Sequence, residues 1–162
     1  MIFQTASDPR EDTVPIIYTI GYTKKSLRQF ISLLQEAGVD AVIDVRLRNT
    51  SQLAGFAKRD DLAFLLREGF GIAYEHVVEL APPAEILDAY KKDHDWLVYE
   101  RAYRQLLAEG DALAIGQELL GRYQRPCLLC AEDTPDHCHR RLLAEYLAER
   151  ISDLEIVHLQ AP

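Results

Sequence analysis

Short apolar runs alternate along this chain with segments in which apolar residues recur every three or four positions. The runs predict buried strands, and the recurring segments predict amphipathic helices. Ser26 with Gln29 has capping-box spacing, and Gly38 is a typical residue just beyond a helix end. We predict strands over residues 16–20, 39–45, 72–74, 127–131 and 154–159. We predict helices from Ser26 to just before Gly38, over 60–66, 84–90, 95–109 and 139–150, and in a short segment ending near Gly121.

This alternation of strands and helices is typical of an α/β domain with a mostly parallel sheet. We therefore predict a single α/β domain over residues 16–162, with three layers. Its mostly parallel, five-stranded sheet would be Rossmann-like, with helices on both faces. Residues 1–15 mix polar, charged and proline residues without periodicity, so we expect a flexible leader there.

The composition of the chain argues against some classes of binding partner. The 162 residues include 18 Lys and Arg and 26 Asp and Glu, a formal net charge of −8. This balance argues against a broad electrostatic nucleic-acid binder, but it is compatible with a small basic pocket. No run approaches the ~20 apolar residues of a membrane-spanning helix, so we expect no membrane partner. Three cysteines, an odd number, form no disulfide framework and favour the cytoplasm.

Polar residues are concentrated where the predicted strands end. Ligands of an open parallel sheet bind beyond the carboxyl ends of its strands, so these residues are the candidates for a binding or catalytic site. Gly21 and Tyr22 follow the first predicted strand, and Glu75 and His76 follow the third. The end of the second strand carries Asp44, Arg46, Arg48, Asn49 and Ser51. The end of the fourth carries Cys130 and Glu132, followed by the run His137-Cys138-His139-Arg140-Arg141.

Two arginines are the candidates for holding an anion at this edge. Arg140 lies at the start of a predicted helix, where the helix dipole and the guanidinium both favour negative charge. Arg141 is expected to be solvated. Arg46 lies on the same side of its strand as Asp44, so it either forms a structural pair with Asp44 or reaches the cleft. Both interpretations of Arg46 remain open at the sequence level.

The cysteines allow several kinds of chemistry. Cys127 and Cys130 would point to opposite faces of a strand, which argues against a zinc site, and we expect neither a metal nor another cofactor. Cys127 fits simple core packing. Cys130 is either a nucleophile at a strand end or an inert thiol. Cys138 is either a reactive thiol whose proton His139 accepts or a residue of the helix cap. His76 is either an acid–base group or a structural histidine.

An ordered set of short motifs carries a family resemblance: Tyr18-Thr19-Ile20-Gly21-Tyr22, Asp44-Val45-Arg46, Gly71-Ile72-Ala73-Tyr74, Leu128-Leu129-Cys130-Ala131-Glu132 and Cys138-His139-Arg140. In order and spacing, over residues 16–160, the chain resembles the family called domain of unknown function 488. It departs from that family at Leu47-Arg48-Asn49, where a proline commonly follows Asp-Val-Arg. The resemblance implies an α/β fold with a pocket, and no known reaction.

A weaker likeness is to rhodaneses and cysteine phosphatases. Those folds also carry a strand-end cysteine, a loop, an arginine and a following helix. Here Cys130 and Arg140 are ten positions apart, which is longer than the tight active-site loops of either group. The likeness is an analogy at the level of the fold.

Three hypotheses for function follow. In the first, a phosphate-bearing small molecule, nucleotide or nucleic acid binds in the strand-end cleft. Gly21, Tyr22, Asp44, Arg46, Arg48, Ser51, His139 and Arg140 would then bind the ligand, and Cys130, Cys138, Glu132 and His76 would supply any chemistry. In the second, the protein is a thiol-based enzyme of sulfurtransferase or cysteine-phosphatase type. In the third, it is a non-enzymatic regulatory or interaction module.

Overall fold

The computed structural model describes residues 14–162, so most of the predicted leader, residues 1–13, lies outside the described residues. The strands are β1 (Ile16–Gly21), β2 (Ala41–Asp44), β3 (Ala73–His76), β4 (Pro126–Cys130) and β5 (Glu155–Leu159). The helices are α1 (Leu27–Glu36), α2 (Arg59–Phe64), α3 (Ala84–Asp93), α4 (Trp96–Glu109), α5 (Ala112–Arg122) and α6 (His139–Arg150). Short 3₁₀ segments cover Gln52–Ala57 and Val78–Leu80, and a π-helical turn, Leu65–Gly69, follows α2.

All five strands are parallel, in the order β3-β2-β4-β1-β5. The predicted α/β class and helix-covered sheet are therefore confirmed. The second strand is shorter than predicted at both ends. At its start, the Asp40 carboxylate accepts hydrogen bonds from the backbone N–H groups of Gln124 and Arg125, so Asp40 fixes the entry to β4.

The predicted first helix forms through the predicted cap. Ser26 accepts a hydrogen bond from the Gln29 backbone, and the Gln29 side chain accepts one from the Ser26 backbone. This reciprocal pair satisfies two backbone donors that an uncapped helix would leave free. The helix then buries Phe30, Ile31 and Leu34 against the sheet.

The two faces of the sheet carry separate cores because successive strand residues point to opposite sides. One core includes Val42, Cys127 and Leu129 and is covered by α1 and α2. The other core includes Ile43 and Leu128 and is covered by α4, α5 and α6. Within the described residues, no helix combines the length and the apolar character needed to cross a membrane.

The direction of winding reverses at the centre of the sheet. The chain leaves β1 and β2 toward the face covered by α1 and α2, and it leaves β4 toward the face covered by α6. Because β4 lies between β1 and β2, the connections that leave the carboxyl ends of these neighbouring strands run to opposite faces of the sheet and leave a crevice between them. The fold thus places a cleft beside Cys130.

Candidate active site

A cavity of about 180 Å³ lies at the carboxyl ends of β2 and β4. Its walls come from the loop after β2, from α3 and α4, and from the connection between β4 and α6. The lining residues are Arg46, Leu47, Arg48, Leu87, Tyr90, Trp96, Tyr99, Cys130, Ala131, Glu132, His137, Cys138 and His139.

Cys130 and His139 form the chemical centre of this cavity. The Cys130 Sγ lies 3.4 Å from Nδ1 of His139. The other ring nitrogen, Nε2, lies 2.7 Å from the backbone oxygen of Val45. A carbonyl oxygen only accepts, so Nε2 carries a proton and Nδ1 of the neutral ring is left to accept one. The arrangement gives a thiol, a base and a fixed orientation for that base, as nucleophilic catalysis requires.

The surroundings of Cys130 favour the thiolate. The neighbouring thiol of Cys138, the positive charge of Arg140 and the backbone N–H groups of Ala131 and Glu132 lower the pKa of the Cys130 thiol below its ordinary value, although burial opposes them. Thiolate is the nucleophilic form of cysteine.

The other two cysteines have pKa values shifted in the opposite direction. Burial, together with the hydrogen bond and charge of Cys130, raises the pKa of Cys138 well above its ordinary value. Burial also raises the pKa of Cys127, which lies in the core on the opposite face of the sheet. Of the three free cysteines, only Cys130 has the electrostatic environment of a nucleophile.

Arg46 is fixed at the cavity wall by a buried carboxylate. Its Nε and Nη2 each donate to Asp44 at 2.8 Å, and Nη2 also donates to the backbone oxygen of Ala57. Asp44 receives further hydrogen bonds from Asn49 at 3.0 Å and from Tyr74 at 2.5 Å. Burial alone would raise the pKa of Asp44, but the hydrogen bonds and charge of Arg46, with the hydrogen bond of Tyr74, hold it below the ordinary value. The structural pair with Asp44 is therefore present, and Arg46 is also one of the residues that line the cavity, while its binding of an anion stays a prediction.

One nitrogen of Arg46 lacks a partner. Among the described residues, Nη1 of Arg46 is the one fully buried side-chain nitrogen or oxygen without a hydrogen bond. Arg46 is only 4% exposed, and the central carbon of its guanidinium lies 5.2 Å from the ring centre of Tyr22. Buried donors of folded proteins almost always have partners, so this unpartnered N–H group is unusual.

Arg140 does not join Arg46 at the cavity. It is fully buried, and it donates to the backbone oxygens of Glu132 at 2.7 Å and Asp133 at 3.4 Å and to the hydroxyl of Thr19 at 3.4 Å. Arg46 and Arg140 thus do not come together around one anion as expected. The Arg140 guanidinium lies beneath the connection between β4 and α6, where it binds the backbone oxygens of that connection. From there its charge acts on Cys130.

Some of the remaining predicted residues line the cavity, and others lie outside it and stabilise neighbouring segments. Glu132 and Arg48 line it, and Arg48 forms an exposed ion pair of 3.0 Å with Asp88 of α3. His76 lies outside the lining and holds the end of β2, since its Nε2 lies 2.8 Å from the backbone oxygen of Arg46. Ser51 caps the 3₁₀ segment through the N–H of Leu53. None of the atoms that line the cavity belongs to His76 or Ser51.

Gly21 supports the site through backbone packing. A Cβ at this position would lie 1.6 Å from the backbone oxygen of Glu132. The end of β1 therefore touches the loop whose N–H groups face Cys130, and only glycine permits this approach.

An aromatic wall was not foreseen from the sequence. Trp96 stacks on Tyr99 and on His137, and the ring centres are 4.9 Å apart in each pair. Tyr90 packs on Trp96 at 5.7 Å. The sequence places Trp96 and Tyr99 three positions apart in one predicted helix, a spacing that is also typical of ordinary core packing, and Tyr90 belongs to the preceding predicted helix. The wall makes one side of the cavity flat and apolar.

The same site contains three donors for a soft metal ion. The ligand atoms of Cys130, Cys138 and His139 all lie within 4.8 Å of one another. The hydrogen bond from His139 to Val45 would orient a metal-bound imidazole just as it orients a base. This set differs from the Cys127-based zinc site considered at the sequence level, since Cys127 lies on the other face.

Comparison with known proteins shows the family to which the chain belongs. No curated protein and no solved structure matches the chain. The family model described as "Domain of unknown function DUF488" matches residues 26–147, three quarters of the sequence, and this match includes the ends of β2 and β4, the cavity and most of α6. The chain therefore belongs to the family of Domain of unknown function DUF488, as its ordered motifs predict.

Proposed function

We propose that this protein is a thiol-dependent enzyme in which Cys130 attacks a small anionic substrate bound in the cavity. The observation that carries the proposal is the contact between Cys130 and His139. The Sγ lies 3.4 Å from a ring nitrogen whose partner nitrogen is fixed to Val45, and both side chains line a cavity. This combination of nucleophile, base and orienting acceptor is what covalent catalysis needs.

The chemical step conserves atoms and charge. His139 takes the proton of the Cys130 thiol, and the resulting thiolate attacks an electrophilic atom of the substrate. A bond forms between Sγ and that atom, and its bond to the leaving group breaks. The imidazolium of His139 then returns the proton to the leaving group. Cys138, which keeps its own proton, lies beside the Cys130 sulfur and stabilises the thiolate once it has formed.

The anionic character of the substrate rests on Arg46. Arg46 belongs to the cavity lining, its guanidinium is fixed by Asp44, and its Nη1 has no hydrogen-bond partner among the described residues. A carboxylate, phosphate or sulfonate oxygen would satisfy that donor. The opposite wall of Tyr90, Trp96 and Tyr99 fits an apolar or planar substituent.

The test compares two alkylating reagents that differ in charge. Iodoacetate is an anion and iodoacetamide is neutral, and peptide mapping measures the rate at each cysteine. An ordinary thiol with a pKa of ~8.5 is only a few per cent ionised at pH 7, so we expect Cys130 to react roughly tenfold faster than such a thiol. We also expect Arg46 to favour iodoacetate, and Arg46→Met to remove that preference.

Variants separate the reaction from folding. His139→Gln should slow alkylation of Cys130 at neutral pH, while Arg122→Gln, a change at an exposed arginine of α5, should leave it unchanged. Arg46→Lys retains a cation beside Asp44 if Arg46→Met fails to fold. A Cys130 that reacts no faster than an ordinary thiol would overturn the proposal, as would stoichiometric zinc that protects Cys130 in the purified protein.

A second candidate is reversible binding of a phosphate-bearing ligand without covalent chemistry. The unpartnered N–H of Arg46 favours it, because it offers an anion site that does not depend on a reactive thiol. Inorganic phosphate and a mononucleotide serve as probes in equilibrium binding. Saturable binding that is lost in Arg46→Met and retained in Cys130→Ser, with an unreactive thiol, would favour this candidate over the first.

A further inference from the structure

The side chain of Cys138 does not cap the helix that follows it. The residue occupies the N-cap position of α6, with φ −140° and ψ 137°, yet its side chain makes no capping hydrogen bond. Serine, threonine, aspartate and asparagine are the residues that stabilise this position. The side chain of Cys138 is instead 2% exposed and lines the cavity beside Cys130.

The two sulfurs are close enough for redox chemistry. The Sγ atoms of Cys130 and Cys138 lie within 4.8 Å of each other, and both cysteines are free. A disulfide requires a separation of about 2.05 Å. Disulfide formation therefore requires the Cys138 sulfur to approach Cys130, and Cys138 ends the eight-residue connection 131–138, which has no regular secondary structure to oppose a shift.

The third cysteine provides a contrast. Cys127 is fully buried in the core on the opposite face of the sheet, and it does not line the cavity. A reagent that enters the cavity reaches Cys130 and Cys138 without unfolding the protein. The same reagent does not reach Cys127.

We propose that Cys138 is a resolving thiol, which closes an intramolecular disulfide with Cys130 after a hydroperoxide has oxidised Cys130. The proposal rests on the reactive Cys130 of the proposed function. It adds a second reaction of the same site, with hydroperoxides as the class of oxidant and external dithiols as the class of reductant.

Both steps balance. The Cys130 thiolate attacks the terminal oxygen of the hydroperoxide: an S–O bond forms, the O–O bond breaks, and the released alkoxide takes up a proton. Sulfur loses two electrons and the peroxide gains them. The Cys138 sulfur then attacks the Cys130 sulfur, an S–S bond forms, the S–O bond breaks, and hydroxide leaves as water with the Cys138 proton. Exchange with a dithiol restores both thiols.

The experiment treats the purified protein with one equivalent of hydrogen peroxide and identifies the products by mass spectrometry. In the wild type we expect the loss of two hydrogen atoms and a peptide cross-link between Cys130 and Cys138, reversed by dithiothreitol. In Cys138→Ser we expect a sulfenic acid on Cys130 that dimedone traps. Cys127→Ser is the matched control and should behave as the wild type. Cys138→Ala serves as a second variant if Cys138→Ser is unstable.

The outcomes distinguish this proposal from the one on which it rests. Rapid alkylation of Cys130 without any disulfide to Cys138, or a dimedone adduct equally abundant in the wild type and in Cys138→Ser, would overturn the resolving role alone. Slow alkylation of Cys130 together with resistance to peroxide would overturn both proposals. A disulfide between two molecules would also contradict the intramolecular reaction.

Discussion

Asp44 and Arg46 form a two-point ion pair at the end of β2, with Nε donating to one carboxylate oxygen and Nη2 to the other, each at 2.8 Å. The two residues are 0% and 4% exposed. The pair therefore does two things at once. It satisfies a buried carboxylate, and it fixes a guanidinium whose remaining nitrogen, Nη1, has no hydrogen-bond partner among the described residues.

Removing the charge of Asp44 tests whether its ion pair with Arg46 stabilises the protein. Asp44→Asn leaves Arg46 buried without a counter-charge, and breaking a buried pair in this way costs about 3–5 kcal/mol. Asp88→Asn breaks the exposed pair with Arg48 and should cost less than about 1 kcal/mol. Urea denaturation measures both free energies of unfolding. Equal losses in the two variants would contradict a structural role for the Asp44–Arg46 pair.

The same carboxylate predicts a dependence of stability on pH. The pKa of Asp44 is lower in the folded protein than its ordinary value of 3.8. A depressed carboxyl pKa stabilises the fold above the unfolded pKa, and that stabilisation is lost as pH falls through the folded pKa. The difference in unfolding free energy between the wild type and Asp44→Asn should thus be constant from pH 7 to about 5 and shrink below about 4. A difference that grows on acidification would show that the sign is wrong.

Arg140 is expected to act on the thiolate rather than on a ligand. In the described part of the chain no carboxylate lies within ion-pair distance of its guanidinium, whereas its charge lowers the pKa of Cys130. Arg140→Met should raise that pKa and slow iodoacetamide labelling of Cys130 at pH 7, by roughly tenfold for each unit of change.

Arg141→Met is the matched control, because the neighbouring guanidinium pairs with Glu145 at the surface. Labelling as a function of pH, with circular dichroism to verify folding, measures the effect. A labelling profile that stays the same in Arg140→Met, with the fold intact, would remove Arg140 from the site.

Much of the fold is predictable from local patterns. The capping box at Ser26, the glycine after α1 and the apolar runs of β2 and β4 indicate their elements correctly, because each depends on neighbours within a few residues. Strand order is different: β4 lies between β1 and β2 although it begins 82 residues after the end of β2 in the chain. Such pairing depends on contacts that local periodicity does not encode.

The site shows the same division. The predicted strand ends indicate that Arg46, Cys130, Cys138 and His139 lie at the same edge of the sheet, and all four line the cavity there. The direction of Arg140 depends on the path of the connection 131–138, whose backbone carbonyls turn inward and accept its hydrogen bonds. The aromatic wall depends on how α3 and α4 pack together over that edge, so a helical spacing of tyrosines does not reveal it.

Gly21 tests the contact between β1 and the loop that faces Cys130. A Cβ there would overlap the backbone oxygen of Glu132, so Gly21→Ala should destabilise the protein by more than about 2 kcal/mol and slow labelling of Cys130. Gly121→Ala is the control: its Cβ would meet no atom within 4 Å, and alanine in a helix stabilises by about 1 kcal/mol relative to glycine. Equal thermal stability of both variants would contradict the close approach.

Trp96 supplies an optical test of the cavity. It is the only tryptophan of the chain, and it lines the cavity that also contains Cys130. A group attached to Cys130 should therefore change the intensity or wavelength of Trp96 emission, because the environment of the indole changes. Labelling with iodoacetamide should alter the emission of the wild type in step with modification of Cys130, and it should leave Cys130→Ser unaffected. Complete modification of Cys130 with no change in emission would place the reactive thiol outside the aromatic cavity.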